Sequence, residues 1–140
     1  MRRRLFAIIV SLALPLLAVG VAAPASAQTG LTADITSATL VAKGAAVDLQ
    51  LSVSCEVGFT GGVFAVVTQR SGNTVMRGSG NTQFACTGEP QIVTLRVVAD
   101  AGGAPFKAGE AVVSESTVQV CSDVSGCAFA DLDQVIRIRK

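Results

Sequence analysis

Histidine, tryptophan and tyrosine are absent from this sequence of 140 residues. Without histidine, neither the Ser-His-Asp and Cys-His arrangements of hydrolases nor a histidine-ligated metal centre can form. A serine nucleophile activated by lysine is also unsupported, because no lysine follows a serine at the S-x-x-K spacing. Glu110 and Glu115 lie five positions apart, an odd spacing, so a regular strand would place them on opposite faces. The sequence therefore predicts that the protein is not an enzyme and carries no cofactor.

Charge is absent from residues 6–23, an apolar run that follows three arginines at 2–4. The sequence Ala-Ser-Ala at 25–27 then supplies the small residues that signal peptidase requires. Proline and glycine interrupt the run and a cleavage box ends it, so we do not expect it to remain as a membrane anchor. We expect a cleaved signal peptide at 1–27 and a single secreted, extracellular domain at 28–140.

The expected mature chain has no excess of positive charge. Three of the eleven basic side chains lie in the leader, so eight remain against ten acidic ones, a formal net charge of −2. This balance offers no electrostatic surface for nucleic acid or for anionic lipid. We therefore expect no nucleic-acid partner and no stable association with a membrane.

Apolar and polar residues alternate in the mature chain with the period of two that is typical of strands. The clearest example is 47–55, where valine, leucine and cysteine alternate with aspartate, glutamine and serine. A break in the alternation at 114–117 predicts a β-bulge. Because six to eight short strands are separated by turn residues, we expect an all-β, immunoglobulin-like antiparallel β-sandwich with two disulfides. The other predicted strands are 31–42, 63–68, 91–98, 111–121 and 134–139.

A short repeat, Ser-Gly-Asn-Thr, occurs at 71–74 and again at 79–82. Glycine accepts a positive φ without steric cost, and Gly-Asn suits a two-residue hairpin turn. Both copies are therefore predicted to be tight turns that flank one short strand. A rim of polar turns that binds carbohydrate is the alternative interpretation of the same repeat.

Four cysteines allow three disulfide connectivities. Cys121 and Cys127 enclose a short turn-forming segment, so we expect them to pair locally. Cys55 ends the best inward-facing strand and Cys86 follows the inward-facing Phe84, so these two are expected to join across the core. A zinc site built from four cysteines is the alternative, but the sequence has no C-x₂-C pair.

Two further groups of residues are candidates for binding. Asp123, Asp131 and Asp133 fall near one end of a late hairpin, and carboxylate oxygens suit Ca²⁺. Acidic residues at turns also commonly cap the backbone, so both interpretations stay open. The glycine-rich loops 56–62 and 100–109 are predicted contact loops, in which Phe59 and Phe106 present apolar surface.

Several segments carry a resemblance to a known group of proteins. The chain resembles small secreted proteins of high-GC Gram-positive bacteria that carry an immunoglobulin-like domain of unknown function. This resemblance covers about residues 30–140 and implies a fold but no activity. The segments are VDLQLSVSC at 47–55, GGVFAVVTQ at 61–69, FACTG at 84–88, FKAGEAVV at 106–113 and CSDVSGC at 121–127.

A more distant resemblance connects the chain to the neocarzinostatin-like apoproteins, exported β-sandwiches with two disulfides that carry a chromophore. It implies an alternative function as a carrier of a small ligand. The favoured prediction is a monomeric, non-catalytic module that contacts an extracellular protein, a glycan or a component of the cell envelope. A carrier requires a preformed apolar pocket, whereas a module should have a closed core.

Overall fold

The computed structural model describes residues 30–140, and the predicted signal peptide at 1–27 lies outside the described residues. Within residues 30–140, no helix has the length and apolar character that crossing a membrane requires. The described chain is almost entirely β-structure with one short 3-10 helix. Its elements are β1 Thr32–Val41, the 3-10 helix Ala42–Gly44, β2 Ala46–Ser54, β3 Thr60–Ser71, β4 Thr74–Ala85, β5 Gln91–Ala99, β6 Gly109–Ser122, β7 Gly126–Asp131 and β8 Gln134–Arg139.

Seven of the strands close into a barrel in the order β3-β4-β5-β2-β1-β8-β6, with β6 pairing back to β3. β7 is an extra strand that pairs antiparallel with the second half of β6. The all-β class and the two disulfides are confirmed. The predicted separation into two sheets is met only in part, because backbone hydrogen bonds run continuously around the barrel. Alternation of side chains shows which face a residue occupies, but it does not show which strands are neighbours.

Two of the junctions in the barrel are short. β1 and β8 are parallel and pair only through Ala38 with Ile138 and Thr39 with Arg139. β4 and β5 pair only at two positions, which involve Gly78 and Ser79 of β4. The remaining neighbours form longer antiparallel ladders. The barrel therefore closes through two short junctions, between β1 and β8 and between β4 and β5.

The alternation predicted for 47–55 is confirmed in β2. Its inward positions are buried and its outward positions are partly or fully exposed. Leu51 is fully buried and lies opposite Ile35 of β1 and Val93 of β5. β2 thus runs through the middle of one face of the barrel and contributes its whole apolar stripe to the core. The fully buried residues of β2 are Val47, Leu49, Leu51 and Val53.

The bulge predicted at 114–117 is also confirmed. The register of β6 against β3 shifts at this point, and Glu115 adopts a φ of 50°. The backbone N–H of Ser116 donates a hydrogen bond to Oδ1 of Asp133 at 3.2 Å. The Asp133 carboxylate therefore satisfies a backbone group that the bulge removes from the ladder.

The two copies of the Ser-Gly-Asn-Thr repeat have different structures. Gly72, with a φ of 59°, and Asn73 form the predicted turn between β3 and β4. The second copy lies inside β4, so the prediction of a second turn is wrong. A Cβ atom at Gly80 would collide with the carbonyl oxygen of Arg96 in β5. This glycine therefore permits the close approach of two strands, a role that the same sequence motif does not distinguish from a turn.

Asp48 of β2 and Arg96 of β5 form an ion pair on the outside of the barrel. The two residues lie directly opposite each other, and the guanidinium donates to both carboxylate oxygens at 2.7 and 2.8 Å. Hydrogen bonding from Arg96 lowers the pKa of Asp48, an effect that exceeds the opposing effect of burial. The pair connects β2 and β5 on the solvent side, in the register that their buried residues set.

The lowered pKa of Asp48 predicts a pH dependence of stability. Because the pKa of Asp48 is lower in the folded than in the unfolded chain, its stabilisation is complete above the unfolded value of 3.8 and is lost as the pH falls through the folded pKa. The free energies of unfolding of wild type and Asp48→Asn should therefore converge in acid. Urea titrations over a range of pH check this. When Arg96→Met is present in both proteins, the difference in free energy of unfolding between the proteins with and without Asp48→Asn should lose this pH dependence. If the pH dependence persisted, Arg96 would not be the cause of the lowered pKa of Asp48.

The disulfides join Cys55 to Cys86 and Cys121 to Cys127, as predicted. Cys55 and Cys86 are buried, and they link the end of β2 to the segment that follows β4. Cys121 and Cys127 are opposite each other across the hairpin of β6 and β7, and Cys127 is exposed. The two bridges therefore differ in their access to solvent.

This difference predicts the order of reduction. A mild thiol reductant should open Cys121–Cys127 first, because attack on a disulfide requires access to a sulfur atom. The loop-closure contribution is about 2 kcal/mol for this short bridge and about 3 to 4 kcal/mol for Cys55–Cys86, so the first reduction should leave the domain folded. Timed alkylation followed by peptide mass spectrometry measures the order. Opening of Cys55–Cys86 first, or of both bridges together, would contradict the prediction.

Candidate binding surface

The two phenylalanines predicted to present contact surface are both buried. Phe59 is 6% exposed and Phe106 is 2% exposed, and both belong to the main apolar cluster. The prediction that these two rings present apolar surface on the loops is therefore wrong. In a core of small aliphatic side chains, burying a ring of this size contributes more to stability than exposing it. The segments are loops, but their aromatic residues point inwards and hold the loops to the barrel.

The loop 100–109 is also held by a buried glutamine. The Gln69 side chain of β3 donates to the carbonyl oxygens of Lys107 and Glu110 at 2.9 and 3.2 Å, and its Oε1 accepts from the N–H of Lys107 at 2.9 Å. The N–H of Phe106 donates to the carbonyl of Gly44 at 2.8 Å. This end of the loop is therefore a structural part of the barrel.

The three candidate calcium ligands do not converge. Among residues 30–140, no group of three or more acidic, cysteine or histidine side chains is arranged to hold a metal ion. The Asp133 carboxylate accepts the hydrogen bond from the bulge of β6 described above. The sequence left open whether these aspartates bind calcium or hydrogen-bond to the backbone, and Asp133 hydrogen-bonds to the backbone.

A different surface emerges on the outer face of β4, β3, β6 and β7. The registers align Gln83, Gly62, Gln119 and Phe129 in one row across the four strands. Because residues two apart on a strand share a face, Phe64 lies on the same surface in the next row, between Asn81 and Thr117. Phe64 is 43% exposed and Phe129 is 65% exposed. Exposed phenyl rings and amide side chains thus share one face.

Gly62 is one of the residues that line a depression of about 580 Å³, which we name the Gly62 depression. Its lining contains amide, hydroxyl, phenyl and disulfide groups, and none of the lining residues carries a charge. The Nε2 atom of Gln119 donates to Sγ of Cys121 at 3.2 Å, so the disulfide helps to orient this amide. The lining residues are Thr60, Gly61, Gly62, Gln83, Phe84, Ala85, Gln119 and Cys121.

Gly61 and Gly62 are adjacent in β3 but differ in the space that is available for a side chain. A Cβ atom at Gly61 would collide with the ring of Phe84, which packs over it on the inner face. At Gly62, the nearest atom to a Cβ would be the carbonyl oxygen of Thr82 at 3.7 Å, an ordinary contact. Gly62 does not have a positive φ, and its pairing with both neighbouring strands is regular. Glycine at 61 therefore makes room for the Phe84 ring, whereas no close contact of this kind accounts for glycine at 62.

This surface is not among the features that the sequence predicts. The alternation of Asn81 and Gln83 with Thr82 and Phe84 indicates a strand with a polar outer face. The repeat at 79–82 nevertheless has the composition of a turn. Gly61 and Gly62 precede the predicted strand 63–68, whereas the observed β3 begins at Thr60. The surface forms only when four strands are in register, and the sequence does not specify that register.

Comparison with known proteins adds no identification. The chain matches no protein-family model, no curated protein and no solved structure.

Proposed function

We propose that this protein is an exported, non-catalytic binding module whose contact surface is the Gly62 depression together with Phe64 and Phe129. The observation that carries the proposal is the concentration of exposed phenyl rings and uncharged amides on one face of a rigid barrel. Two exposed aromatic rings on a strand surface gain no stability from burial, whereas a binding partner would cover them. The proposed partner is an extracellular protein, a glycan or a component of the envelope.

Export and the lack of catalysis rest on independent features. Two disulfides are typical of proteins in oxidising compartments, and the sequence at 1–27 has the pattern of a cleaved signal peptide. All four cysteines are paired, so none offers a thiol nucleophile. Glu115, one of the two carboxylates considered above, approaches Arg77 at 3.6 Å. We therefore expect the purified protein to bind without turning over esters, peptides or glycosides.

A barrel that closes through two short junctions is compatible with the immunoglobulin-like sandwich that the sequence resemblance implies. We propose that β1, β2 and β5 form one sheet and that β3, β4, β6, β7 and β8 form the other. The two junctions between these sheets consist of two residue pairs each, whereas the ladders within the sheets are longer. Amide hydrogen exchange tests this division, since the two junctions should exchange before the ladder of β2 and β5.

A carrier of a small ligand is the second candidate. The volume of the Gly62 depression, about 580 Å³, falls within the range of small-molecule sites. The depression is open on the outer face of the barrel, whereas a carrier encloses most of its ligand. Native mass spectrometry of the secreted protein distinguishes the candidates, because a carrier should retain a stoichiometric small molecule and a module should not.

Site-specific photocrosslinking tests the proposed contact surface. A benzophenone amino acid replaces Phe129 in one variant and Ile92 in a matched control, since their exposures of 65% and 62% are similar and Ile92 lies on β5 of the opposite face. Each variant is irradiated with envelope and culture-fluid fractions of the producing cell. We expect a saturable crosslinked product from position 129 only. Equal products from both positions, or none from position 129, would overturn the assignment of this face.

A further inference from the structure

We infer that one end of the barrel binds a linear polyol phosphate, a phosphodiester polymer without bases. The formal net charge of −2 for residues 28–140 is a sum over two ends of opposite sign. This inference goes beyond the proposed function, because it concerns a second surface and does not depend on the Gly62 depression. We name this surface the cationic end, and its exposed basic residues are Lys43, Arg70, Lys107, Arg137, Arg139 and Lys140.

Four of these cations meet where two loops and the end of β8 come together. The N–H of Phe106 donates to the carbonyl of Gly44 at 2.8 Å. Lys43 and Lys107 are each one residue from this hydrogen bond, so the two lysines belong to loops that are joined. β8 runs antiparallel to the start of β6 and parallel to the end of β1, which brings residues 139–140 to the same end of the barrel.

Arg70 and Arg137 extend the cationic end along the outside of the barrel. Arg70 is the penultimate residue of β3 and lies opposite Val75 of β4. Arg137 lies opposite Glu110, the second residue of β6. The six basic residues therefore come from two loops and from the ends of two strands, although they are far apart in the sequence.

The charge of this end is not neutralised within the protein. Among residues 30–140, ion pairs involve only two basic residues, Arg77 and Arg96, and neither belongs to the cationic end. The carboxylate side chains at this end are Asp100, in the loop before β6, and Glu110. Six basic side chains thus accompany two acidic ones. Clustered like charges repel one another, and a bound polyanion relieves that repulsion.

The opposite end of the barrel is acidic. Within residues 30–140, its connecting loops carry no lysine or arginine. β2 and β5 have nine residues each, so the two ends are about 30 Å apart. Charges are screened over about 8 Å at physiological ionic strength, so the acidic end does not weaken binding at the cationic end. The acidic residues are Asp34 near the start of β1, Glu56 after β2, Glu89 before β5 and Asp123 in the turn between β6 and β7.

The arginines favour a linear phosphate polymer over a small anion. A guanidinium group binds two phosphate oxygens at once. Arg137 and Arg139 are two residues apart on one face of β8, about 7 Å along the strand, which is close to the spacing of successive phosphates in an extended phosphodiester chain. Both line a groove of about 280 Å³ between β1 and β8. A small anion would contact one or two of the six cations, whereas a polymer contacts several.

Two other anionic partners fit the cationic end less well. Proteins that insert into an anionic bilayer combine their cations with tryptophan, phenylalanine or leucine. Proteins that bind single-stranded nucleic acid stack the bases on aromatic rings. The exposed phenylalanines, Phe64 and Phe129, lie in the other half of the barrel, and the ring of Phe106 is buried. A polymer that offers phosphate groups without bases or acyl chains matches a surface that offers charge alone.

The test measures binding of the oxidised protein, residues 28–140, to fluorescently labelled poly(glycerol phosphate) by anisotropy at increasing NaCl concentrations. We expect saturable binding whose logarithm falls linearly with the logarithm of the salt concentration, with a slope of about −3 for four contacted phosphates. Oligothymidylate at the same phosphate concentration and phosphatidylglycerol vesicles are the comparisons. Absence of binding to poly(glycerol phosphate), or tighter binding to either comparison, would overturn the inference.

Two double variants with the same change in net charge locate the site. Lys107→Gln with Arg139→Gln removes two charges from the cationic end, and we expect affinity to fall about tenfold and the salt slope to shrink by about 1.4, since each lost contact removes about 0.7. Arg77→Gln with Arg96→Gln removes two charges elsewhere and should leave affinity and slope unchanged. Equal weakening by the two double variants would overturn the assignment to this end, and unchanged Tm values show that both proteins are folded.

Discussion

Phe106→Ala should lower the free energy of unfolding by about 3 to 5 kcal/mol, the range for truncating a buried phenylalanine. The ring is 2% exposed and belongs to the main apolar cluster. Its removal leaves a cavity beneath a loop whose backbone is fixed by Gly44 and Gln69, so the surroundings have little freedom to collapse. Urea unfolding followed by far-ultraviolet circular dichroism measures the loss, because the chain has no tryptophan or tyrosine fluorescence.

Phe129→Ala is the matched control for this prediction. The ring of Phe129 is 65% exposed, so its removal should change the free energy of unfolding by no more than about 0.5 kcal/mol. Similar losses for the two variants would mean that Phe106 is not in the core. The comparison also determines how binding is tested: variants of Phe106 would lose binding through unfolding, whereas variants of Phe129 report on the surface.

Leu51→Ala should cost about 2 to 5 kcal/mol for the same physical reason. Leu51 is fully buried at the middle of β2, between Ile35 and Val93 on the neighbouring strands. A loss of this size is a large share of the total stability of a domain of this length. Denaturant unfolding with an unchanged m-value would show that the native state is destabilised without a change in its cooperativity.

The neighbouring outward residue provides the internal control. Ser52→Ala should change stability by no more than about 0.5 kcal/mol, because the Ser52 side chain lies on the solvent side of the same strand. If Ser52→Ala cost as much as Leu51→Ala, the assignment of the two faces of β2 would be wrong.

Much of the local structure could be predicted from single segments. The alternation at 47–55, the turn at Gly72, the bulge near Glu115 and the strand at 134–139 are all visible in runs of a few residues. These features depend on backbone preferences and on the period of two, which act over short distances. The local Cys121–Cys127 bridge was predictable for the same reason.

Features that depend on neighbouring strands were predicted less well. The second Ser-Gly-Asn-Thr copy has the composition of a turn, but β4 continues through it because its glycines permit close contact with β5. Phe59 and Phe106 lie in segments rich in glycine, yet their rings are buried. In the first case the local sequence favours a turn but packing against β5 maintains a strand, and in the second the segments are loops whose rings are buried by packing against the barrel.

The candidate binding surface is also a feature that depends on neighbouring strands. The sequence contains Gly62, Phe64, Gln83, Gln119 and Phe129 in separate segments, with no motif that connects them. The registers of β4, β3, β6 and β7 bring them onto one surface.

By itself, the sequence determined the β class, the alternation of β2, the local pairing of Cys121 with Cys127 and the exclusion of histidine chemistry. These properties follow from residue types and from spacing along the chain. The tertiary structure decided the closure of the barrel, the burial of Phe59 and Phe106 and the assembly of the Gly62 depression. Each of these depends on which strands are neighbours and in which register, and a shift of one residue would exchange the two faces of a strand.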